Sequence, residues 1–128
     1  MKTRVFVVED QALFREGIVE SLNREPDLSV CGEAEDAPTA LVAINAIAPD
    51  LVLTDLHLKS ASGLNLIREL RRRHPALPVV AMTLFDPATY ERQALAVGAS
   101  GFVDKQEGAR QLVAVIRAAL TWGAPPRE

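Results

Sequence analysis

The chain has 128 residues, of which 48% are apolar and 24% charged, with a formal net charge of −3 at pH 7. This length fits one domain, and the apolar content excludes a disordered chain. The mild negative charge disfavours direct DNA binding, which needs a basic face. The single cysteine excludes an internal disulfide. Since neither a signal peptide nor a membrane-spanning apolar run is found, we expect a cytoplasmic domain without membrane contact.

Five short runs of apolar or β-branched residues predict strands at residues 4–8, 28–32, 51–54, 79–83 and 101–103. Near-continuous apolar sequence is typical of strands buried on both faces of a parallel sheet. After each strand, apolar residues recur at helical spacing, which predicts an intervening helix.

Start and stop signals place several helix ends. Asp36 is a predicted N-cap with Pro38 in the first turn, and Asp86-Pro87 predicts an N-cap and first helical residue of a helix that ends at Gly98. Residues 71–74 (Arg-Arg-Arg-His) fall in the last turn of the third helix, where positive charge complements the helix dipole. We interpret this run as a solvated helix end rather than a nucleic-acid patch.

Five strands alternating with five helices predict an α/β fold with a parallel sheet covered on both faces, a three-layer αβα sandwich. Right-handed crossovers leave few topologies, of which we favour the strand order 2-1-3-4-5. We expect one domain over residues 1–121, with residues 122–128 forming a tail or the start of an interdomain linker. Trp122 either packs against its own helix end or contacts a partner.

Polar residues gather where the predicted strands end. At the carboxyl ends of the first, third, fourth and fifth strands they are Glu9, Asp10, Asp55, Thr83 and Lys105. In an open parallel sheet of this order, these ends border one crevice, where ligands bind. Carboxylates that share a crevice repel each other, and a hard divalent cation such as Mg²⁺ relieves that repulsion. Asp55 is then a candidate phosphoryl acceptor, with Lys105 and Thr83 placed to contact the phosphoryl oxygens.

Several motifs, in this order, resemble the receiver domain of a bacterial two-component response regulator. They are Val7-Val8-Glu9-Asp10, residues 51–56 (Leu-Val-Leu-Thr-Asp-Leu), Gly63, Ala81-Met82-Thr83, and Gly98-Ala99 with residues 101–105 (Gly-Phe-Val-Asp-Lys). Together they span nearly the whole chain at the family's spacing. Residues 9–18 further resemble the NarL/LuxR-type subfamily, whose output is a helix-turn-helix domain. The resemblance implies a flavodoxin-like fold.

The resemblance also implies a role for each residue of the crevice. Asp55 resembles the phospho-acceptor. Glu9 and Asp10 resemble the acidic pair that binds Mg²⁺ together with Asp55 and the backbone carbonyl of His57. Lys105 resembles the lysine that contacts the transferred phosphoryl group.

Thr83 and Phe102 resemble the switch residues of the family. Thr83 is expected to be catalytic together with Asp55 and Lys105. Its hydroxyl is expected to turn towards the phosphoryl group. Phe102 either follows Thr83 or is a passive core aromatic.

The implied donor is a phosphohistidine of a sensor histidine kinase, and the protein would catalyse only its own phosphorylation and dephosphorylation, so we do not expect an enzyme. The resemblance further implies homodimerisation on phosphorylation, and transcriptional control through a DNA-binding output domain absent from this chain.

Three positions depart from the family pattern. Lys59 stands where the family often has proline, which removes rigidity from the loop after Asp55. Gln106 replaces the proline that often follows the lysine, so a cis peptide there loses its usual support. Glu9 is one methylene longer than the aspartate found more often.

Other interpretations remain open. A phosphohydrolase of the haloacid-dehalogenase type needs a second acid two positions after its aspartate nucleophile, and that position is His57. A stand-alone receiver would act as a protein-binding module without an output domain, and a pseudo-receiver would keep the fold as a binding module without the chemistry. A flavin carrier would need a hydroxyl- and glycine-rich loop after the first strand, where Glu9-Asp10-Gln11 stands. The His57 side chain either has no essential role or lies over the site and tunes phosphoryl lifetime.

Overall fold

The strands are β1 (Thr3–Val8), β2 (Leu28–Ala34), β3 (Leu51–Asp55), β4 (Val79–Thr83) and β5 (Gly101–Asp104). The helices are α1 (Ala12–Asn23), α2 (Ala37–Ile47), α3 (Gly63–Arg73), α4 (Pro87–Ala96) and α5 (Ala109–Ala119), and a short 3-10 turn spans Lys105–Glu107. The elements are those of a computed structural model, which describes residues 2–58 and 62–122. All strand pairs are parallel, in the order β2-β1-β3-β4-β5.

Side chains of the central strands alternate between two cores. Phe6 and Val52 are fully buried in the core formed with α2, α3 and α4. Val5, Leu51 and Leu53 are fully buried in the opposite core, against α1 and α5. This alternation follows from the two-residue period of a strand. It confirms the predicted three-layer α/β sandwich. In the part of the chain that the structure describes, no helix is long and apolar enough to cross a membrane.

The predicted N-caps have different outcomes. The Asp36 carboxylate accepts a hydrogen bond from the Thr39 backbone N–H at 2.8 Å, which confirms this cap of α2. Asp86 stands at the predicted N-cap position of α4 with Pro87 as the first helical residue, which confirms the placement, but its side chain makes no capping hydrogen bond. An N-cap usually has an extended backbone, whereas Asp86 has a φ of 29°. The helix ends at Ala96, and Gly98 follows with a φ of 107°.

The interpretation of residues 71–74 as a solvated helix end is confirmed for Arg72 and Arg73, which are exposed in the last turn of α3, and is wrong for Arg71. Arg71 is half-buried, and its guanidinium donates to the backbone oxygens of Gly98, at 3.0 and 2.7 Å, and of Leu77, at 2.7 Å. Burial lowers the pKa of the Arg71 guanidinium from its ordinary value. The guanidinium carbon also lies 4.3 Å from the ring centroid of Trp122. Trp122 therefore packs on α3, and the side chain of Arg71 joins three separate segments.

Candidate functional site

Three carboxylates meet at the carboxyl edge of the sheet. Asp55 is the last residue of β3, and Glu9 and Asp10 follow β1 directly. One carboxylate oxygen from each lies within 4.8 Å of the others. Glu9 is fully buried, Asp55 is 4% exposed, and Asp10 is partly exposed. The structure thus brings together the acids that the sequence placed in one crevice.

Lys105 places a positive charge among these acids. Its Nζ lies 2.7 Å from Glu9 Oε1 and donates a hydrogen bond to Asp55 Oδ2 at 3.1 Å. The side chain of Lys105 is only 2% exposed. Lys105 begins the 3-10 turn after β5, and the Asp104 carboxylate fixes this turn by accepting the Gln106 N–H at 3.0 Å. A buried ammonium in this position offsets part of the repulsion between the carboxylates.

Glu9 is held firmly, but one of its oxygens lacks a hydrogen bond. Its Oε2 accepts the Gln11 backbone N–H at 3.1 Å. Its buried Oε1 makes no hydrogen bond of good geometry, although the Lys105 ammonium lies close by. Burial raises the pKa of the Glu9 carboxyl, and the charge of Asp55 raises it further, while Lys105 and the Gln11 N–H lower it. Oε1 is thus paired with Lys105 by charge but carries no hydrogen bond of good geometry, which suits an oxygen that would serve as a cation ligand.

Arg15 supports the acidic pair, a role that the sequence analysis did not identify. Its Nη1 donates to the backbone oxygen of Glu9 at 2.6 Å, and its Nε pairs with the Glu33 carboxylate at 3.3 Å. Arg15 thereby connects α1 with β2 and the end of β1. The signal available in the sequence was an arginine near the start of the first helix, shortly after the acidic pair.

The donor set fits a hard divalent cation. It consists of carboxylate oxygens, one of them buried without a hydrogen bond, and oxygen ligands are those that Mg²⁺ prefers. The backbone N–H of His57 donates to Asp55 Oδ1 at 3.1 Å, so the residue adjoins the acids. Coordination by its backbone carbonyl stays a prediction.

Thr83 lies fully buried at the end of β4, where it contacts His57 and Phe85. Its Oγ1 is 2.9 Å from His57 Nε2 and accepts the Phe85 backbone N–H at 3.0 Å. The His57 ring makes edge-to-face contacts with Phe85 and Tyr90, at centroid distances of 4.8 and 4.7 Å. The side chain of His57 thus connects the loop after β3 to α4, which sequence reasoning did not foresee.

The remaining predicted residues are less closely tied to the acids. Phe102 is partly buried and packs against the core on the α2, α3 and α4 side, so both interpretations of this residue stay open. Within residues 2–58 and 62–122 no peptide bond is cis, including the one between Lys105 and Gln106. Lys59 and the predicted tail from residue 123 onwards lie outside the described residues.

Gly63 allows α3 to begin directly against the end of β3. A Cβ atom at this position would lie 2.2 Å from the Asp55 backbone oxygen and 2.6 Å from Leu56 Cα. Because backbone atoms cannot yield as flexible side chains do, we expect Gly63→Ala to destabilise the protein by about 3 kcal/mol. Denaturant unfolding followed by circular dichroism measures this loss.

The control for this substitution is Gly17→Ala. A Cβ atom at Gly17, inside α1, would meet nothing within 4 Å. Alanine favours a helix interior over glycine by about 1 kcal/mol, so this variant should be more stable than the wild type. Equal effects of the two substitutions would contradict the close approach at Gly63.

Comparisons with known proteins agree with this geometry. Residues 5–117 match the family described as the response regulator receiver domain. The response regulator GacA of Pseudomonas viridiflava is 35% identical over 114 residues, which cover 89% of this chain and 53% of that protein. The transcriptional regulatory protein DegU of Brevibacillus brevis is 29% identical over 123 residues, covering 96% and 52%.

A solved structure gives the same result for the fold. The two-component response regulator of the LuxR family from Aurantimonas sp. SI85-9A1 superimposes with a TM-score of 0.91 at 30% identity, covering 97% of this chain and 89% of that one. The chain spans about half the length of the curated relatives named above.

Proposed function

Because this chain belongs to the response regulator receiver domains, of the NarL/LuxR type, we propose that it is a phosphorylation switch in which Asp55 accepts a phosphoryl group with the help of Mg²⁺. The observation that carries this proposal is the position of Lys105 Nζ, which is buried between the carboxylates of Glu9 and Asp55. A nearly buried lysine bound to two acids is costly to desolvate. A role of the ammonium in phosphoryl transfer would explain why Lys105 occupies this buried position.

The side chains divide the work of the transfer. An oxygen of Asp55 attacks the phosphorus atom of a phosphohistidine, and the bond from phosphorus to the donor nitrogen breaks. The hydrogen bonds from the His57 N–H and from Lys105 hold the two oxygens of Asp55 in place before the attack. Lys105 then contacts an oxygen of the transferred group as a point charge. Mg²⁺, held by Glu9, Asp10 and Asp55 with the His57 carbonyl, would neutralise charge on the phosphoryl oxygens.

The switch starts at Thr83. Before phosphorylation, the Thr83 hydroxyl contacts His57 in the loop after β3 and Phe85 in the loop after β4. A phosphoryl group on Asp55 offers this hydroxyl a charged acceptor, which is a stronger hydrogen-bond partner than a neutral one. Movement of Thr83 would break its hydrogen bond to His57 and leave space for Phe102. A local change in charge is thereby converted into a change of surface around β4, α4, β5 and α5.

The partners follow from the same proposal. The donor is a sensor histidine kinase, and the altered surface, or the face of α1 and α5, pairs with a second copy or releases an output domain. This chain covers only about half of each named relative, and one of them is called a transcriptional regulatory protein. We therefore include a helix-turn-helix output domain in the proposal, through which alone the protein would contact DNA in the cytoplasm.

Phosphoryl uptake from a small donor tests the proposal. The protein is incubated with acetyl phosphate and MgCl₂, and intact mass spectrometry should show one added phosphoryl group that hydroxylamine removes, as expected of an acyl phosphate. The same incubation in EDTA should leave the mass unchanged. Uptake that persists in EDTA would contradict the magnesium requirement. Magnesium binding without any uptake would favour a pseudo-receiver.

We expect Asp10→Asn to weaken Mg²⁺ binding. A ligand at ten times its Kd stabilises the folded state by about 1.4 kcal/mol, which raises the melting temperature. In the variant, most of this gain should be lost, because one charged ligand of the cluster becomes neutral. Glu16→Gln, which removes one negative charge from the exposed face of α1, is the control and should keep the full magnesium-dependent rise. Equal gains in both variants would place the ion elsewhere.

A further inference from the structure

Phe14, in α1, faces the buried ammonium that the proposed reaction uses. The Nζ of Lys105 lies 4.1 Å from the centroid of the Phe14 ring. We propose that Phe14 is a positioning residue for phosphoryl transfer, because its ring fixes where the Lys105 ammonium stands. This inference rests on the function proposed above for Asp55, and it assigns a task to a residue of α1 outside the acidic cluster.

The surroundings of Lys105 show why the ring matters. The ammonium has two carboxylate neighbours, Glu9 Oε1 at 2.7 Å and Asp55 Oδ2 at 3.1 Å, and the Phe14 ring is a third neighbour. With a side chain 2% exposed, Lys105 has almost no contact with water. The face of an aromatic ring carries negative electrostatic potential, so it attracts a cation in a way that an aliphatic side chain cannot, and more strongly when water is excluded.

An apolar cavity adjoins this contact. It has a volume of about 280 Å³ between α1 and α5, and Phe14, Ile18, Val103, Lys105 and Leu112 are among the residues that line it. Shortening Phe14 would enlarge the cavity beside the ammonium. The lysine side chain would then have a wider choice of positions, in a place where few polar partners hold it.

During the reaction, the ring is the neighbour that Lys105 keeps. A cation held by Glu9 and Asp55 and a phosphoryl group on Asp55 would engage carboxylate oxygens that Lys105 now contacts, so the lysine contacts to these acids would change. The aromatic contact needs no such exchange, because Phe14 is neither a ligand nor a reacting group. The ring therefore holds the Lys105 ammonium within reach of the phosphoryl oxygens while the ionic contacts of the ammonium are replaced. The positive charge is then already in place when negative charge develops on those oxygens.

The test compares Phe14→Leu with Phe14→Tyr. With acetyl phosphate at saturating MgCl₂, the rate of phosphoryl uptake should fall about fivefold in Phe14→Leu and stay within about twofold of the wild type in Phe14→Tyr, which keeps the ring. The Kd for Mg²⁺ should be unchanged in both. Leu13→Ala, at a neighbouring position that is 85% exposed, should react at the wild-type rate. If Phe14→Leu does not fold, Phe14→Met replaces it, since methionine fills much of the volume without a ring.

A spectroscopic measurement reports the contact independently of the reaction. The ring current of Phe14 should shift the NMR signals of the Lys105 Hε protons upfield in the wild type and in Phe14→Tyr, and the shift should vanish in Phe14→Leu. Equal rates in the wild type and Phe14→Leu, or an equal loss in the Leu and Tyr variants, would overturn the role of Phe14 alone. Failure of the wild type itself to take up a phosphoryl group would overturn the proposed function, and the role of Phe14 with it.

Discussion

Replacing Asp55 with asparagine is expected to abolish phosphoryl uptake. The amide keeps the size and most of the contacts of the carboxylate, but its oxygen is a far weaker nucleophile and cannot give an acyl phosphate. Asp55 is nearly buried at the point where the His57 N–H and Lys105 converge, and these contacts hold its carboxylate in place for the attack. Mass spectrometry after incubation with acetyl phosphate and MgCl₂ should show no adduct.

The matched control is Asp104→Asn. Asp104 also ends a strand, but its carboxylate serves the next turn by accepting the Gln106 N–H. The amide oxygen of asparagine can accept the same hydrogen bond, so this variant should fold and be labelled like the wild type. Labelling of Asp55→Asn at the wild-type level would refute Asp55 as the acceptor, and loss of labelling in both variants would show that the effect is not specific to Asp55.

Replacing Lys105 with methionine is expected to cause a large loss of stability. The substitution removes one partner of a buried ion pair and leaves the carboxylates of Glu9 and Asp55 facing each other. Breaking such a pair costs about 4 kcal/mol, because a charge is left buried without compensation. Urea unfolding in EDTA at pH 7 measures the loss. Lys2→Met, the same change at an exposed lysine, should alter the stability by less than about 0.5 kcal/mol.

The loss of stability in Lys105→Met should depend on pH and on magnesium. Burial already raises the pKa of Glu9 above its usual 4.5, and removal of Lys105 takes away an interaction that lowers it. A carboxyl whose pKa is higher in the folded than in the unfolded state binds its proton more tightly when folded, so the free energy of unfolding falls as the pH rises above 4.5. The deficit of Lys105→Met should therefore be smaller at pH 4 than at pH 7, and Mg²⁺ should reduce it at pH 7. If the stability loss of Lys105→Met depended on neither pH nor Mg²⁺, its cause would be lost packing rather than unpaired charge.

The acidic crevice could be predicted because few physical rules determine it. Apolar runs gave the strands, and the carboxyl ends of neighbouring parallel strands must share one edge of the sheet. Glu9, Asp10 and Asp55 stand directly at those ends, so their proximity required no knowledge of side-chain conformation. Lys105 was also predictable as a member of the crevice, because it directly follows β5 at the same edge. Its burial against the Phe14 ring was not.

Features that depend on loop geometry could not be predicted. The acceptors of Arg71 are backbone carbonyls of Gly98, Leu77 and their neighbours, and every residue type offers such a carbonyl. The missing capping hydrogen bond of Asp86 accompanies a backbone φ of 29°, which the pair Asp-Pro does not specify. The rotamer of His57 depends on ring contacts with residues that come together only after folding.

The contact between Arg71 and Trp122 also fixes the position of Trp122 relative to the sheet. The loops that Arg71 joins precede β4 and β5, whereas Asp55 lies at the opposite edge of the sheet. A five-residue strand such as β4 is about 17 Å long. Trp122 therefore lies about one strand length from the carboxylate that we propose as the phosphoryl acceptor. Under that proposal, an effect of phosphorylation on Trp122 would have to pass through the packed core, because no direct contact joins the two residues.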